Sequence, residues 1–134
     1  MCKKLLITNG RILTMAGKVL PKGCVLTENG RITAVADQIE ITEDKDTEII
    51  DASGCLVMPG LIEAHCHVGI TEEKKGMEGD DCNENVSPVT PWLRALDAIN
   101  TMDAAFDDAV RAGITSIMAG PGSSSVVGGQ FVFL

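Results

Sequence analysis

The stretch Leu56-Val57-Met58-Pro59-Gly60-Leu61-Ile62-Glu63-Ala64-His65-Cys66-His67 decides how this chain is read, because an apolar run ends in two imidazoles one residue apart. On an extended strand, side chains two positions apart point to the same face. Both rings can therefore converge on one metal ion while Cys66 points away as a packing residue. They are the only two histidines in the chain, and neutral imidazole suits zinc or another first-row divalent ion. A bare His-x-His on a half-buried strand is equally an ordinary polar pair, so the setting has to separate the two readings. Glu63 shares the face of His65 and His67 in this alternation. It either orients a ligand as an outer carboxylate or pairs with a basic group at the rim.

Upstream, the chain reads as short strands joined by tight turns. Asn9-Gly10 and Asn29-Gly30 each sit between apolar and β-branched runs and are each followed by Arg-Ile. Asn-Gly supplies the positive φ angles of a type I′ hairpin, so both are expected to be hairpin turns. Residues 40 to 48 are polar and acidic and read as a solvated connection. Ile49-Ile50-Asp51 and Leu56-Val57-Met58 then bracket an Ala-Ser-Gly turn. Pro59 removes a donor and Gly60 permits an unusual backbone, which places a boundary near Met58 between a domain over 1–57 and another over 58–134.

Downstream, Leu61 to Val68 reads as a buried strand, followed by an acidic loop over 69–87. Thr90-Pro91 reads as an N-cap with proline at the first helical position. Trp92, Leu96, Ile99, Met102, Phe106 and Val110 follow at spacings of three and four. The expectation is one amphipathic helix over 91–112, with Trp92 and Met102 in the core and Gly113 at its C-terminal cap. Ile114 to Met118 is a further strand, Ala119 to Gln130 a Gly/Ser loop, and Phe131 to Leu134 the start of another strand. Strand, loop, helix, strand is a βα unit leading into a second parallel strand, and the class is α/β.

Several chemistries are set aside. The Gly/Ser loop lacks the Lys-Ser/Thr ending of a phosphate loop and the third glycine of a dinucleotide fingerprint. Loops that follow strands of an α/β sheet line active sites, so Gly128, Gly129 and Gln130 are candidates for touching substrate. The acidic loop fails the calcium-loop register: counted from Asp81, the sixth position is Val86 and the twelfth Trp92. A net charge of −8 gives no footprint for nucleic acid. No stretch approaches the roughly 20 apolar residues needed to span a bilayer, and the N-terminus is too short in apolar residues for a signal peptide. Five cysteines without a C-x-x-C pair fit reduced thiols, and a cytoplasmic protein is expected.

The segment from Val57 to His67 resembles the first barrel strand of the amidohydrolase superfamily, the metal-dependent hydrolases, whose pattern is Pro-Gly-Leu/Phe-Ile-Asp-x-His-x-His. Glu63 stands where Asp is commoner. The N-terminal strands look like the small β-sandwich that precedes the barrel. Gly79-Asp80-Asp81, the run Pro88 to Asn100, Ala112 to Gly122 and Gly128-Gly129-Gln130 are similar to an imidazolonepropionase-like branch. The resemblance implies a small β-sandwich followed by the first two strands of a (β/α)8 barrel. It also implies one or two divalent metals, most simply zinc, that activate water against a C–N bond of a small molecule such as a cyclic amide. His65 and His67 are by position the first two ligands, and this reading includes a homo-oligomeric parent enzyme.

Family members take their remaining ligands, a bridging Lys or acidic residue, two further His and a catalytic Asp, from later strands. An eight-stranded barrel needs about 200 residues or more. The expectation is therefore an N-terminal fragment whose catalytic residues lie on the missing C-terminal part and which is inactive alone. Two other readings stay open: a non-enzymatic β-rich binding module with structural histidines, and a half-barrel subunit completed by another chain.

Overall fold

The structure is a computed structural model that describes residues 4–41 and 46–134. Cys2 and part of the acidic connection over 40–48 lie outside the described residues. The chain divides into two compact units, Met1–Pro59 and Gly60–Leu134.

The first unit is built on β1 (Lys4–Leu13), flanked by β2 (Val19–Glu28), β3 (Arg31–Ala36), β4 (Thr47–Asp51) and β5 (Leu56–Val57). Its sheet order is β3-β2-β1-β4, with β5 also paired to β1. β1 and β2 are antiparallel, whereas β4 and β5 run parallel to β1 along its other edge. The described residues make this one five-stranded sheet. Asn9-Gly10 is not the hairpin turn its composition predicts. β1 runs straight through it, so a segment expected to reverse is one continuous strand.

Asn9 does adopt the left-handed conformation, at φ 62°, but the result is a β-bulge. Between the pairs Ile7↔Val25 and Gly10↔Gly23, β1 advances three residues and β2 two. Between Gly10↔Gly23 and Ile12↔Leu20, the imbalance reverses. One extra residue flips strand alternation, which is why Ile7 and Ile12, five apart, pack on the same cluster as Leu20 and Val25. The chain reverses later: Thr14 bonds Lys18 through both its main-chain N–H and its hydroxyl, with Met15 at φ 56° and Gly17 at φ 86°. At Asn29-Gly30 the hairpin forms as predicted. Both residues have positive φ, 52° and 75°, and Glu28 pairs with Arg31 across the loop.

The second unit holds β6 (Leu61–Cys66), β7 (Ile114–Ala119) and β8 (Val132–Phe133), in that order. β6 and β7 are parallel; β8 is antiparallel to β7. β6 ends at Cys66 and is not the buried strand over 61–68 that its apolar run predicts, since Leu61 is 50% and Ile62 66% exposed. The core is a cluster of Ile70, Cys82, Ala95, Ile117 and Ala119 with Cys66, Val68, Ile99, Phe106, Ile114 and Val132 packed against it.

The single helix over 91–112 is replaced by two short ones, α1 (Ala95–Ala98) and α2 (Ala104–Arg111). Asn100 and Asp103 break it, because short polar side chains offer the backbone partners that compete with the helix. The Asn100 side-chain oxygen accepts from the Met102 N–H. Asp103 caps α2 by accepting from the Ala105 N–H and also takes the Glu73 N–H from the acidic loop. The apolar stripe is thereby broken: Trp92 is 67% and Met102 87% exposed, not core. Phe106 still packs inward, and Gly113, at φ 89°, ends α2 as expected, its N–H bonded to Val110.

Candidate metal centre

Because β6 and β7 are parallel and Cys66 pairs with Ala119, the residues that follow each strand lie side by side. His67 follows β6 and Gly120 follows β7. The Gly120 N–H donates to the Cys66 carbonyl at 3.1 Å, and the His67 Nδ1 lies 2.6 Å from the Gly120 carbonyl oxygen. A carbonyl only accepts, so Nδ1 carries a proton, and in the neutral ring it is Nε2 that keeps the lone pair. This is the second-partner arrangement that fixes the tautomer of metal-binding histidines.

The His65 ring meets the His67 ring edge to face, with centroids 5.4 Å apart and planes at 86°. The two imidazoles do lie together. Cys66 turns away, its thiol 3.7 Å from the Met118 carbonyl and its side chain against the core. The four described cysteines, Cys24, Cys55, Cys66 and Cys82, are all free thiols.

Glu63 is placed differently. Between Glu63 and Cys66, β6 advances three residues while β7 advances two, so strict alternation does not run from Glu63 to the histidines. Its Oε1 accepts from the main-chain N–H of His65 at 3.0 Å. The carboxylate thus holds the backbone that carries His65, not an imidazole ring.

The Gly128-Gly129-Gln130 segment is stitched to the chain before α1. The Gln130 N–H donates to the Leu93 carbonyl, the Ala95 N–H donates to the Gln130 carbonyl, and the Gln130 side-chain amide donates to the Pro91 carbonyl at 3.3 Å. A Cβ on Gly129 would lie 2.6 Å from the Leu93 oxygen, so glycine is required by the close approach. Gly128 and Gly129 line a cavity of about 240 Å³ that also contains Trp92, Arg94, Asp97 and Ser125. Neither histidine lines it, nor does Gln130. The Arg94 guanidinium grips Asp97 through two bonds of 2.8 and 2.7 Å, which holds the Asp97 carboxyl below its ordinary range and raises the guanidinium above its own. Sequence reasoning missed two residues at the histidines, Gly120 and Phe131. A glycine just past one strand and an aromatic just before the next were the available signals, but neither names its partner.

No protein-family model matches the chain. An amidohydrolase of Thermotoga maritima MSB8 superposes on 97% of this chain with a TM-score of 0.81 and 38% identity, over 33% of its own length. The chain belongs to the amidohydrolase superfamily. Among its curated superfamily relatives, Amidohydrolase tasK of Hapsidospora irregularis is 34% identical over 110 residues, 81% of this chain and 11% of the relative. The dihydroorotase of Syntrophotalea carbinolica is 49% identical over 65 residues, 48% of this chain and 15% of the relative. The chain therefore spans less than a fifth of either curated relative. No helix among the described residues is long and apolar enough to cross a membrane.

Proposed function

We propose that this chain is the amino-terminal part of a hydrolase that breaks a carbon–nitrogen bond in a small molecule with metal-activated water, and that His65 and His67 are its first two metal ligands. The observation that carries the reading is the imidazole pair itself, brought together at the end of a strand with the His67 Nδ1 held by the Gly120 carbonyl. With metal–nitrogen distances of about 2.0 Å and each ring centre about 1.1 Å behind its nitrogen, two imidazoles at a tetrahedral angle have centroids about 5 Å apart. The observed 5.4 Å fits that spacing.

When bound, zinc or a similar ion polarises the scissile group and makes water acidic enough to attack near neutral pH. Groups of three or more ligating side chains are absent among the described residues, so the rest of the ligand set and the catalytic residues belong to later strands. β6 and β7 are, in this reading, the first two strands of a (β/α)8 barrel. Their parallel pairing around a connection that contains α2 supports it. The names of the superfamily relatives support carbon–nitrogen chemistry; a cyclic amide as the substrate, an imidazolonepropionase-like branch and a cytoplasmic setting are the finer reading.

The test is zinc binding to the 134-residue chain, measured by competition with a chromophoric chelator, alongside His65→Asn and His67→Asn. The expected result is one weak site that either substitution abolishes, with no turnover of cyclic amides, since two imidazoles fall short of the three protein ligands of a catalytic zinc site. Zinc uptake unchanged by both substitutions would overturn the assignment.

A further inference from the structure

In the β7–β8 ladder, Ala119 pairs with Val132 and Met118 with Phe133, while Ile117 and Leu134 exchange both main-chain hydrogen bonds. Continuing that register sets Phe131 directly opposite Gly120. Since Ile117 and Leu134 are a hydrogen-bonded pair, the alternation makes Gly120 and Phe131 a non-hydrogen-bonded pair, the kind in which side chains approach most closely. The ring lies against the glycine, so closely that a Cβ on Gly120 would run into it. This is the aromatic cover by which a strand glycine is shielded and its backbone fixed.

The same ring also contacts His65, with centroids 5.2 Å apart and planes at 55°. One side chain thus touches both halves of the imidazole pair: His65 directly, and His67 through the glycine whose carbonyl accepts its Nδ1–H. No other aromatic ring contact involves either histidine among the described residues.

We infer that Phe131, seated on Gly120, is a positioning residue that fixes the orientation of both imidazoles and the tautomer of His67 for a divalent cation. Gly120 supplies the acceptor and, having no side chain, the seat for the ring. Phe131 keeps that carbonyl in place and walls His65 on one side, so the two nitrogens are arranged before any ion arrives. Removing the ring frees His65 to change rotamer and lets the Gly120 peptide move, which lets His67 exchange tautomers. Outer partners of this kind are worth about tenfold to a hundredfold in metal affinity.

The inference rests on the metal reading above, so its test has one readout that needs no metal. In the full 134-residue chain, the His67 tautomer is read from its ring nitrogen shifts by NMR at about pH 8, where ordinary histidines are neutral. Cobalt(II) affinity is measured on the same samples. The variants are Phe131→Ala, Phe131→Leu and Phe131→Tyr, each checked for an intact β7–β8 amide pattern; Leu keeps bulk over Gly120, and Tyr keeps the ring.

The expected result is a single Nδ1–H tautomer in the parent and in Phe131→Tyr. Phe131→Ala should give a tautomer mixture with cobalt affinity about tenfold lower or more, and Phe131→Leu should fall between. A single tautomer retained in both Phe131→Ala and Phe131→Leu would overturn the inference. If the parent binds no cobalt while the tautomer still follows the Phe131 series, positioning by Phe131 stands and the metal assignment fails. If the ring-keeping and ring-removing variants lose the β7–β8 pattern alike, Phe131 is a folding residue and the inference is overturned.

Discussion

The tetrapeptide Asn-Gly-Arg-Ile occurs twice in the first unit, at 9–12 and at 29–32, and folds in two ways. In both copies the asparagine is left-handed, at φ 62° and 52°. At 29–32 Gly30 is left-handed too, at φ 75°, and the chain reverses into β3. At 9–12 Gly10 has no positive φ, and the chain carries on for three more residues of strand. The difference lies in the neighbours. The Ala52 N–H donates to the Thr8 carbonyl, and the Arg11 N–H donates to the Cys55 carbonyl, so the edge of β1 is held on both sides of the bulge by the chain that links β4 to β5. The Asn9 amide donates to Asp51 Oδ1 at 2.9 Å and to the Thr8 hydroxyl at 3.3 Å, tying the bulge to the same link. The second copy has Asn29-Gly30 at the tip of a two-residue loop, across which Glu28 and Arg31 pair directly. A local preference for left-handed backbone is shared; what it builds is decided by which segment the following strand pairs with.

The strongest way to break this comparison is to put a methyl group on each glycine. At Gly10 a Cβ would lie 2.6 Å from Val57 Cγ2 and 3.1 Å from the Ala52 Cβ, both on short, stiff side chains. Gly10→Ala should cost about 2–3 kcal/mol through overpacking. At Gly30 nothing lies within 4 Å, so Gly30→Ala should cost only the left-handed strain, about 1 kcal/mol. Urea unfolding of the two variants decides it, and equal losses would mean that the bulge is no more constrained than the turn.

A smaller effect is expected from Asn9→Ala, which keeps the glycine but removes both side-chain bonds and the residue type best suited to left-handed backbone. The loss should be less than that of Gly10→Ala. It should appear in amide exchange as weaker protection at Ala52 and Arg11, whose bonds flank the bulge. Protection unchanged there would show that the link holds without Asn9.

The smallest effect is on pH dependence. Asp51 is held below its ordinary range, first by the Ser53 hydroxyl, then by the Asn9 amide and the Ser53 N–H. A carboxylate whose folded pKa is depressed adds stability above its unfolded pKa, and that stability is lost as pH falls through the folded value. The window therefore begins near the ordinary value of 3.8 and extends downward. In Asn9→Ala the Asp51 carboxyl should titrate closer to that ordinary value, followed by carbon NMR of the carboxyl group. An unshifted titration would assign the whole effect to Ser53.

Much of this structure is legible in the sequence, and the failures share a cause. The strands at Ile114 and Ile49, the Asn29-Gly30 hairpin, the Gly113 cap and the inward-facing Cys66 follow from properties of a few adjacent residues. The helix over 91–112 fails because Asn100 and Asp103 spend their side chains on main-chain N–H groups, including that of Glu73, about 30 residues away in sequence. An apolar stripe at helical spacing does not reveal that competition. That Glu63 bonds the main chain of His65 was not legible, because the irregularity between Glu63 and Cys66 is a property of β6 and β7 together.

The sequence by itself determined that two imidazoles stand one residue apart after an apolar strand, and that both Asn-Gly pairs would visit left-handed backbone. Those follow from covalent spacing and from the intrinsic φ preferences of Asn and Gly. Only the tertiary structure decided that one pair is a bulge and the other a turn, that His67 bonds a carbonyl 53 residues away, and that Phe131 covers the glycine supplying it. The physical reason is that hydrogen-bond register between strands is a relation between distant segments. A spacing within one segment can offer a donor or an aromatic ring, but the partner opposite is fixed only when the sheet has formed.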